Sequence, residues 1–457
     1  MTMKRRQFMR NTMAAAAVSG LAGPSILRGA GREKIRFAQI GCGGRGKDHF
    51  GMWRNEKFVA AVDTNRKVVD MFNANTFPDL KRYTDFREMY AQHMDELDAV
   101  IVATPDHTHY AAAMPALAAG KAVYCEKPLA WSMDECFALA RMAEKKKVAT
   151  QMGNQGNGQQ GWRDCYSMVK GGLIGDVKEV HTWTNRPIWP QGRQRPDWTD
   201  PVPADLDWDS WIGPGTMVPY VDNWRVEMKG FSGNRVYTPR AWRGWYDFGC
   251  GALGDMACHT MNAMFRIMKP EFDCTIEPIE VIDETDVTFP AKEVMKWSFA
   301  RKGDCPGFDN YWYDGHLKPD KPEDMGEHGL PGQGSMFVGA AGTLIVGGDY
   351  NSWQTLYKKG EKIEKPEFEP LLPRAEGNIY SNFMRAVKGE TAWDDTVSNF
   401  MYSGKMAAIF NMATVCQQVG EKIAFSSKSM KFDNAQANKL MGRTPRAGWE
   451  DAYKHIG

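Results

Sequence analysis

An α/β domain built on a parallel sheet wrapped by helices, followed by an α+β domain with a large, mainly antiparallel open sheet, is the architecture the sequence predicts. Three observations predict it. Between Ile35 and Thr150 short β-rich runs alternate with helical stretches. A glycine-rich loop, Gly41-Cys42-Gly43-Gly44-Arg45-Gly46, joins the first of those runs to a helical segment. Past Thr150 the period changes, and beyond Met268 β-like runs follow one another.

The first run, Ile35 to Ile40, leads into the glycine loop, and the second, Phe58 to Val62, ends on Asp63. A Rossmann dinucleotide-binding unit needs this order. The first glycine turns the chain, the second lets backbone approach a pyrophosphate, and the third lets helix pack on strand. The helix that begins at the loop points its N–H groups and positive dipole end at the phosphates. Asp63 is placed to accept hydrogen bonds from the adenosine ribose, which favours NAD; Arg66 nearby keeps NADP open. With 45 glycines in 457 residues, the bare pattern arises by chance on the order of once in two such chains, so context decides. A second match, Gly249-Cys250-Gly251-Ala252-Leu253-Gly254, follows a poor buried strand, Trp245 to Phe248, and reads as a turn before a helix.

Further strands of the parallel sheet are expected at 99–103, 122–125 and 148–152. Ligands in such sheets sit outside the carboxyl ends of the strands. There lie Thr104-Pro105-Asp106-His107-Thr108-His109 and Cys125-Glu126-Lys127-Pro128-Leu129. A lysine at that position, beside a nicotinamide, is a compact cation able to stabilise an alkoxide or share its proton; the bland alternative is a surface lysine before a turn-forming proline. Glu126 would hold Lys127 or a cofactor hydroxyl.

The amide and glycine loop Gln151 to Asn157 marks a hinge into a second domain. A helix from Trp162 to Lys170 and a strand from Val177 to Thr184 follow. The irregular stretch Asn185 to Cys250 is dense in Trp and Arg, among them Trp189, Trp198, Arg240, Trp242 and Arg243. Aromatic faces with interleaved guanidinium donors suit a sugar. Most of these tryptophans are expected to pin loops, with one or two, and Arg240 and Trp242 in particular, lining a pocket. Asp255 and His259, at i and i+4 on one helix face, form a pair in which a carboxylate orients an imidazole as general base. A buried, hydrogen-bonded histidine is the plainer reading, and no third ligand suggests a metal.

The glycine loop, the Thr-Pro-x-x-x-His segment at Thr104, Pro105 and His109, and the strand-end Glu126-Lys127-Pro128 together resemble the glucose-fructose oxidoreductase and inositol 2-dehydrogenase family, Gfo/Idh/MocA. The resemblance runs from about residue 33 to 290 and thins beyond. It implies cofactor contacts from Gly41, Gly43, Gly44, Arg45, Gly46, Asp63, Thr104, Pro105, His109, Glu126, Lys127 and Asn154, the last at the nicotinamide. It implies catalytic roles for Lys127, Asp255 and His259, the last also contacting substrate, and oligomerisation through one face of the open sheet. The family often has Asn where this chain has Asp106, which departs from that pattern.

β-like runs at 274–282, 294–299, 335–339, 342–346 and 353–357 suggest the antiparallel sheet, with Gly303 to Gly334 a polar surface loop or lid and helices at 377–388 and 396–418. Residues 1–30 look like an address: Lys4-Arg5-Arg6-Gln7-Phe8-Met9-Arg10 resembles a twin-arginine export signal, followed by a mild apolar run from Met13 to Gly23 too short to span a bilayer. The expected domains are therefore 31–153 and 154–457, in a periplasmic protein with no membrane anchor after signal removal. The chain has 57 basic and 56 acidic residues; losing the five bases of residues 1–30 leaves 52 against 56, which argues against nucleic acid as a partner. Nine scattered cysteines without C-x-x-C spacing read as buried free thiols.

These elements predict an NAD(P)-dependent oxidoreductase of a sugar or glycoside hydroxyl. Free NAD is scarce outside the cytoplasm, so the cofactor is expected to be tightly bound and internally recycled. Alternatives are an NAD-dependent glycosidase working by C3 oxidation and elimination, a plain hydrolase using paired carboxylates, and a non-catalytic carbohydrate-binding protein.

Overall fold

The computed structural model describes residues 33–72, 76–364 and 366–456. The export signal expected at residues 1–30 lies outside them. Six parallel strands form the first sheet: β1 (Arg36–Ile40), β2 (Lys57–Val62), β3 (Lys81–Tyr83), β4 (Ala99–Val102), β5 (Ala122–Cys125) and β6 (Thr150–Met152). Their order is β3-β2-β1-β4-β5-β6, so the winding reverses between β1 and β4 and opens a crevice there. The central strands are buried on both faces and read as near-continuous apolar runs, which is why they were legible. The edge strand β3, Lys-Arg-Tyr with its first two residues exposed, carries no apolar signal and was not expected.

The second sheet has ten strands in the order β14-β13-β12-β11-β7-β10-β9-β8-β15-β16. They are β7 (Val177–Trp183), β8 (Cys274–Ile282), β9 (Lys292–Phe299), β10 (Phe308–Tyr313), β11 (Gly334–Gly339), β12 (Gly342–Gly347), β13 (Trp353–Lys358), β14 (Glu361–Ile363), β15 (Ile423–Ser426) and β16 (Lys431–Phe432). Among these strands only β7 and β10 pair in parallel. The expected surface loop from Gly303 to Gly334 is corrected in part. Phe308–Tyr313 is a central strand that buries Phe308, Asn310 and Trp312 and turns the alternate residues outward. That alternation was masked by the Gly, Pro and Asp around it.

The chain's last third returns to the first domain. From the helix Ile379–Val387, Ile379, Phe383 and Met384 enter one core cluster with Phe37, Trp53 and Tyr124. The helix Phe400–Val419 lies along the helix Met133–Lys146 in a core that reaches both sheets. Between the domains, residues 185–250 hold little regular structure beyond a helix at Trp208–Ile212, and gather their own aromatic cluster around Trp208, Trp211, Tyr237 and Trp245. All nine cysteines are buried free thiols, as expected. Among the described residues no helix is long and apolar enough to cross a membrane.

Phe383 is fully buried against the first sheet's outer layer. Phe383→Ala is therefore expected to cost roughly 3–5 kcal/mol of unfolding free energy in urea denaturation. A loss below about 1 kcal/mol would show that this helix only rests on the sheet.

Candidate active site

The crevice at the ends of β1, β2 and β4 opens into a cleft of about 1510 Å3 that runs from the glycine loop to the Trp- and Arg-rich wall of the second domain. At its inner end the three motif glycines answer different constraints. Gly41 has φ +84°, and a Cβ there would stand 2.4 Å from the Ala103 carbonyl oxygen. A Cβ on Gly46 would stand 2.1 Å from the Gly41 carbonyl oxygen. These two glycines are required by the turn and by the helix packed upon it. At Gly43 the nearest protein atoms are 3.6 and 3.9 Å from such a Cβ, so no protein atom demands glycine. The space in front of Gly43 is a cradle that a side chain would fill, and it fits a pyrophosphate.

Asp63 closes the loop from below. Its Oδ2 accepts from the backbone N–H of Cys42 at 2.9 Å and of Gly43 at 3.3 Å, and its Oδ1 from that of Asn65 at 2.9 Å. Burial raises its pKa and these N–H groups oppose the rise. The carboxylate thus fixes the loop as well as lining the ribose end of the cleft. Thr104, Pro105, Gly44 and Arg45 also line it.

Two expected contacts lie behind the cleft wall. His109 is buried with its ring nitrogens 2.8 Å from the Pro128 carbonyl and 2.9 Å from the Thr104 carbonyl, so it ties the two strand-end segments together. Asn154 is fully buried and donates to the Cys258 carbonyl at 3.2 Å, linking the hinge to the helix Gly251–Thr260. Both are braces; the motif spacing located them correctly but could not tell a wall from what stands behind it.

Glu126 does not hold Lys127. Its Oε1 lies 3.0 Å from His49 Nε2 and 3.6 Å from Arg45 Nε, beneath the glycine loop. Burial pushes this carboxyl up, but the His49 hydrogen bond and the Arg45 and Lys127 charges outweigh it and hold it below its ordinary value. His49 was missed: it sits one turn into the helix Arg45–Met52, and nothing in its local sequence marks it.

Lys127 reaches across the domain boundary. Its Nζ donates to Asp255 Oδ1 and to the Asp255 carbonyl, both at 2.7 Å. Burial works against the charge, but Asp255 prevails and raises the lysine's pKa. Asp255 Oδ1 also accepts from Arg243 Nε at 3.1 Å. Burial alone would raise this carboxyl; Lys127 and Arg243 overcome it and hold it well below the carboxylate range.

This pairing corrects the Asp255–His259 expectation. The two share a helix face, but Asp255 is taken by the cations opposite and makes no hydrogen bond to His259. Burial, with the Lys127 charge beside it, lowers the His259 pKa to about 3, so the imidazole is neutral. Its Nδ1 is buried without a partner, its ring stands edge-on to Tyr350 at 5.0 Å, and it lines the cleft. Asp106 joins the same group: burial pushes its carboxyl up to about 7, and its Oδ2 accepts from the Cys250 backbone N–H at 3.1 Å. The second glycine motif is, as expected, a turn before a helix, and it is this turn that carries Asp255 and His259 inward.

On the far wall Arg240 and Trp242 line the cleft, with Trp189, Trp198 and Arg243. The Arg243 guanidinium lies 4.3 Å from the Trp242 ring and 5.7 Å from that of Trp189. Trp208, Trp242 and Trp245 also join the loop-pinning cluster, in line with the expectation that most tryptophans hold the irregular segment down.

A parallel sheet with a phosphate cradle at its switch point, an acid after its second strand and a half-buried lysine after its fifth define a dinucleotide-binding oxidoreductase fold. Comparison with known proteins makes this specific. Residues 35–154 match the family model described as "Oxidoreductase family, NAD-binding Rossmann fold", and residues 168–291 the companion model of its C-terminal alpha/beta domain, together more than half of the chain. The chain belongs to the Gfo/Idh/MocA oxidoreductase family. An inositol 2-dehydrogenase of Gluconacetobacter diazotrophicus is 30% identical over 186 residues, 39% of this chain and 54% of that protein. A glycosyl hydrolase family 109 protein of Shewanella pealeana is 28% identical over 173 residues, 36% of this chain and 37% of that one. The aligned stretches thus span about half of these relatives or less. Among solved structures, the WlbA dehydrogenase of Bordetella pertussis, in complex with NADH and UDP-GlcNAcA, shares the fold at TM-score 0.57 and 17% identity, covering 86% of this chain and 99% of that one.

Two outcomes follow from the geometry. Gly46→Ala is expected to cost about 2 kcal/mol or more in denaturation, because its Cβ meets backbone. Gly43→Ala is expected to leave stability nearly unchanged and to act on nucleotide binding, read by calorimetric titration with NAD. For His259 the folded value of about 3 lies below the ordinary value of 6.5. The unfolded chain therefore binds more protons between those values, and the stability His259 contributes is present above about pH 6.5 and lost as pH falls. Relative to His259→Asn, the wild type should lose roughly 2 kcal/mol between pH 7 and pH 5 in parallel urea titrations; equal slopes would show an ordinary imidazole.

Proposed function

We propose that this protein is an NAD-dependent oxidoreductase acting on a hydroxyl of a sugar or glycoside, and that it keeps its cofactor from one turnover to the next. One observation carries the reading: at a single point in the cleft, a lysine locked in its charged form by Asp255 stands near a histidine kept neutral by burial. Environments that drive two groups apart in this way divide acid from base.

When bound, NAD supplies the hydride acceptor. The glycine loop and Asp63 hold the nucleotide half. His259, whose imidazole lines the cleft, takes the hydroxyl proton. Lys127 Nζ stabilises the negative charge developing on that oxygen, while Asp255 and Arg243 keep the ammonium aimed. Trp198, half-buried on the cleft wall, offers apolar surface to the C–H side of a sugar, and Arg240 and Arg243 offer donors to its hydroxyls.

A second reading is elimination: transient oxidation at C3 acidifies the C2 proton, the anomeric group leaves, water adds and the ketone is reduced back. It is supported by relatives that include a glycosyl hydrolase and a 2,7-anhydro-N-acetylneuraminate hydratase of Escherichia coli. It is also supported by Asp106, a second proton-exchanging group titrating near neutrality. In both readings a bound NAD would end each cycle in its starting oxidation state, because the hydride taken from the hydroxyl would pass to the carbonyl of a second sugar or back to the ketone itself.

The N-terminal Arg5-Arg6 signal supports twin-arginine export to the periplasm, where such recycling is needed. The half-buried aromatic face of the large sheet, where His181 stacks on Tyr311 at 4.7 Å, supports a homo-oligomer formed through that face.

The reading is tested by denaturing the purified protein and assaying the supernatant for NAD, expected at about one per chain. Lys127→Met should retain the nucleotide and lose turnover by roughly a thousandfold or more. Wash-in of deuterium at C2 of a glycoside, abolished in His259→Asn, selects elimination over simple oxidation.

A further inference from the structure

The irregular segment of the second domain is fastened to the first domain at two places on opposite sides of the glycine loop. On one side it meets the end of β2. Asn65 and Leu206 form an antiparallel bridge, the Arg66 N–H donates to the Asp205 carbonyl at 2.8 Å, and the Asp207 N–H donates to the Thr64 carbonyl at 2.8 Å. Lys67 Nζ adds an ion pair with Asp205 Oδ1 at 3.1 Å. On the other side it meets the segment after β4. His107 is fully buried, with Nε2 3.0 Å from the Trp211 carbonyl and Nδ1 3.2 Å from the Phe248 carbonyl. Arg446 Nε donates to the Gly213 carbonyl at 3.1 Å and holds the same stretch from the chain's end.

Because β1 lies between β2 and β4, a chain tied to both of the outer strands must cross over the loop that follows β1. Leu206, Ser210 and Trp211 accordingly line the cleft opposite Gly43, Asp63 and Val68. We infer that residues 205–213 form a strap over the adenosine half of the dinucleotide site, so that this half is built by both domains and the nucleotide leaves only when the strap detaches. The inference rests on reading the cleft as a dinucleotide site. It adds to that reading a cause for cofactor retention, and it assigns Leu206, Ser210 and Trp211 to the binding site.

The strap has a point where it can be loosened without harm to either domain. Arg66 is the first residue of the helix Arg66–Asp70, and Asn65 before it is extended at φ −98°, ψ 108°. Proline is well tolerated at that helix position and after such a residue. Arg66→Pro therefore removes the N–H that binds Asp205 and little else, and Asp205→Ala removes the ion pair.

The experiment loads the full-length protein with NAD and follows exchange against isotopically labelled NAD by filtration and mass spectrometry. The wild type is expected to hold its nucleotide through gel filtration and to exchange over hours. The Arg66→Pro/Asp205→Ala double variant is expected to exchange faster by about tenfold, the loss of two hydrogen bonds. Its nucleotide-free melting temperature should be unchanged. Exchange in the wild type within seconds, or equal rates in the two proteins, overturns the strap while leaving the cofactor reading intact. A wild type that binds no NAD even at millimolar concentration overturns both. Hydrogen exchange on the wild type alone gives an independent readout: the Arg66 and Asp207 amides should be protected in the NAD-bound protein, and rapid exchange at both excludes the strap.

Discussion

The contact between Lys127 and Asp255 is the constraint on which the rest of the site depends, because it is made by one residue from each domain. Lys127 follows β5 of the first sheet; Asp255 lies one turn into a helix of the second domain. Both charges are withdrawn from water, which is costly unless each finds its partner in good geometry. Two 2.7 Å hydrogen bonds from one ammonium, and a third bond from Arg243, meet that condition. Removing Asp255 would leave the Lys127 ammonium without its carboxylate, at a cost of about 3–5 kcal/mol. The pair therefore sets the relative position of the glycine loop and the aromatic wall, and with it the distance over which any reaction must occur.

From that pair the electrostatics of the neighbouring groups follow. The lysine's charge presses on His259 from one side while burial removes solvation from the other, so the imidazole stays neutral. Asp106, buried and near the Asp255 carboxylate, is pushed toward neutrality despite the cations nearby. Glu126, which the sequence pairs with Lys127 by adjacency, turns instead to His49, because successive residues at a strand end point to opposite sides. One sheet end thus supplies a cation to the substrate side and a carboxylate to the support of the phosphate loop.

The parts of the fold legible in the sequence are those fixed by local rules. The central parallel strands are apolar on both faces, the glycine loop has its own stereochemistry, and helices such as Gly161–Lys170 and Ile379–Val387 carry an amphipathic period. What escaped depends on tertiary partners. β3 is polar because it is an edge. β10 alternates correctly but sits in a stretch whose composition reads as loop. The spacing of Asp255 and His259 correctly places them on one helix face; it does not say that Arg243 and Lys127 approach that face from elsewhere and claim the carboxylate first. His109 and Asn154 show the same limit in reverse, being well positioned by motif and yet set behind the surface they were expected to form.

The state of the cysteines has a bearing on where such a molecule can work. Every cysteine is buried, and burial raises the pKa of each thiol whose shift is resolved, from Cys42 in the glycine loop to Cys416 in the long helix. Thiolate is the form that reacts with oxidants and disulfides, and burial keeps these sulfurs from meeting either. The native covalent structure therefore contains no disulfide bond, and folding requires no pairing of cysteines to reach it.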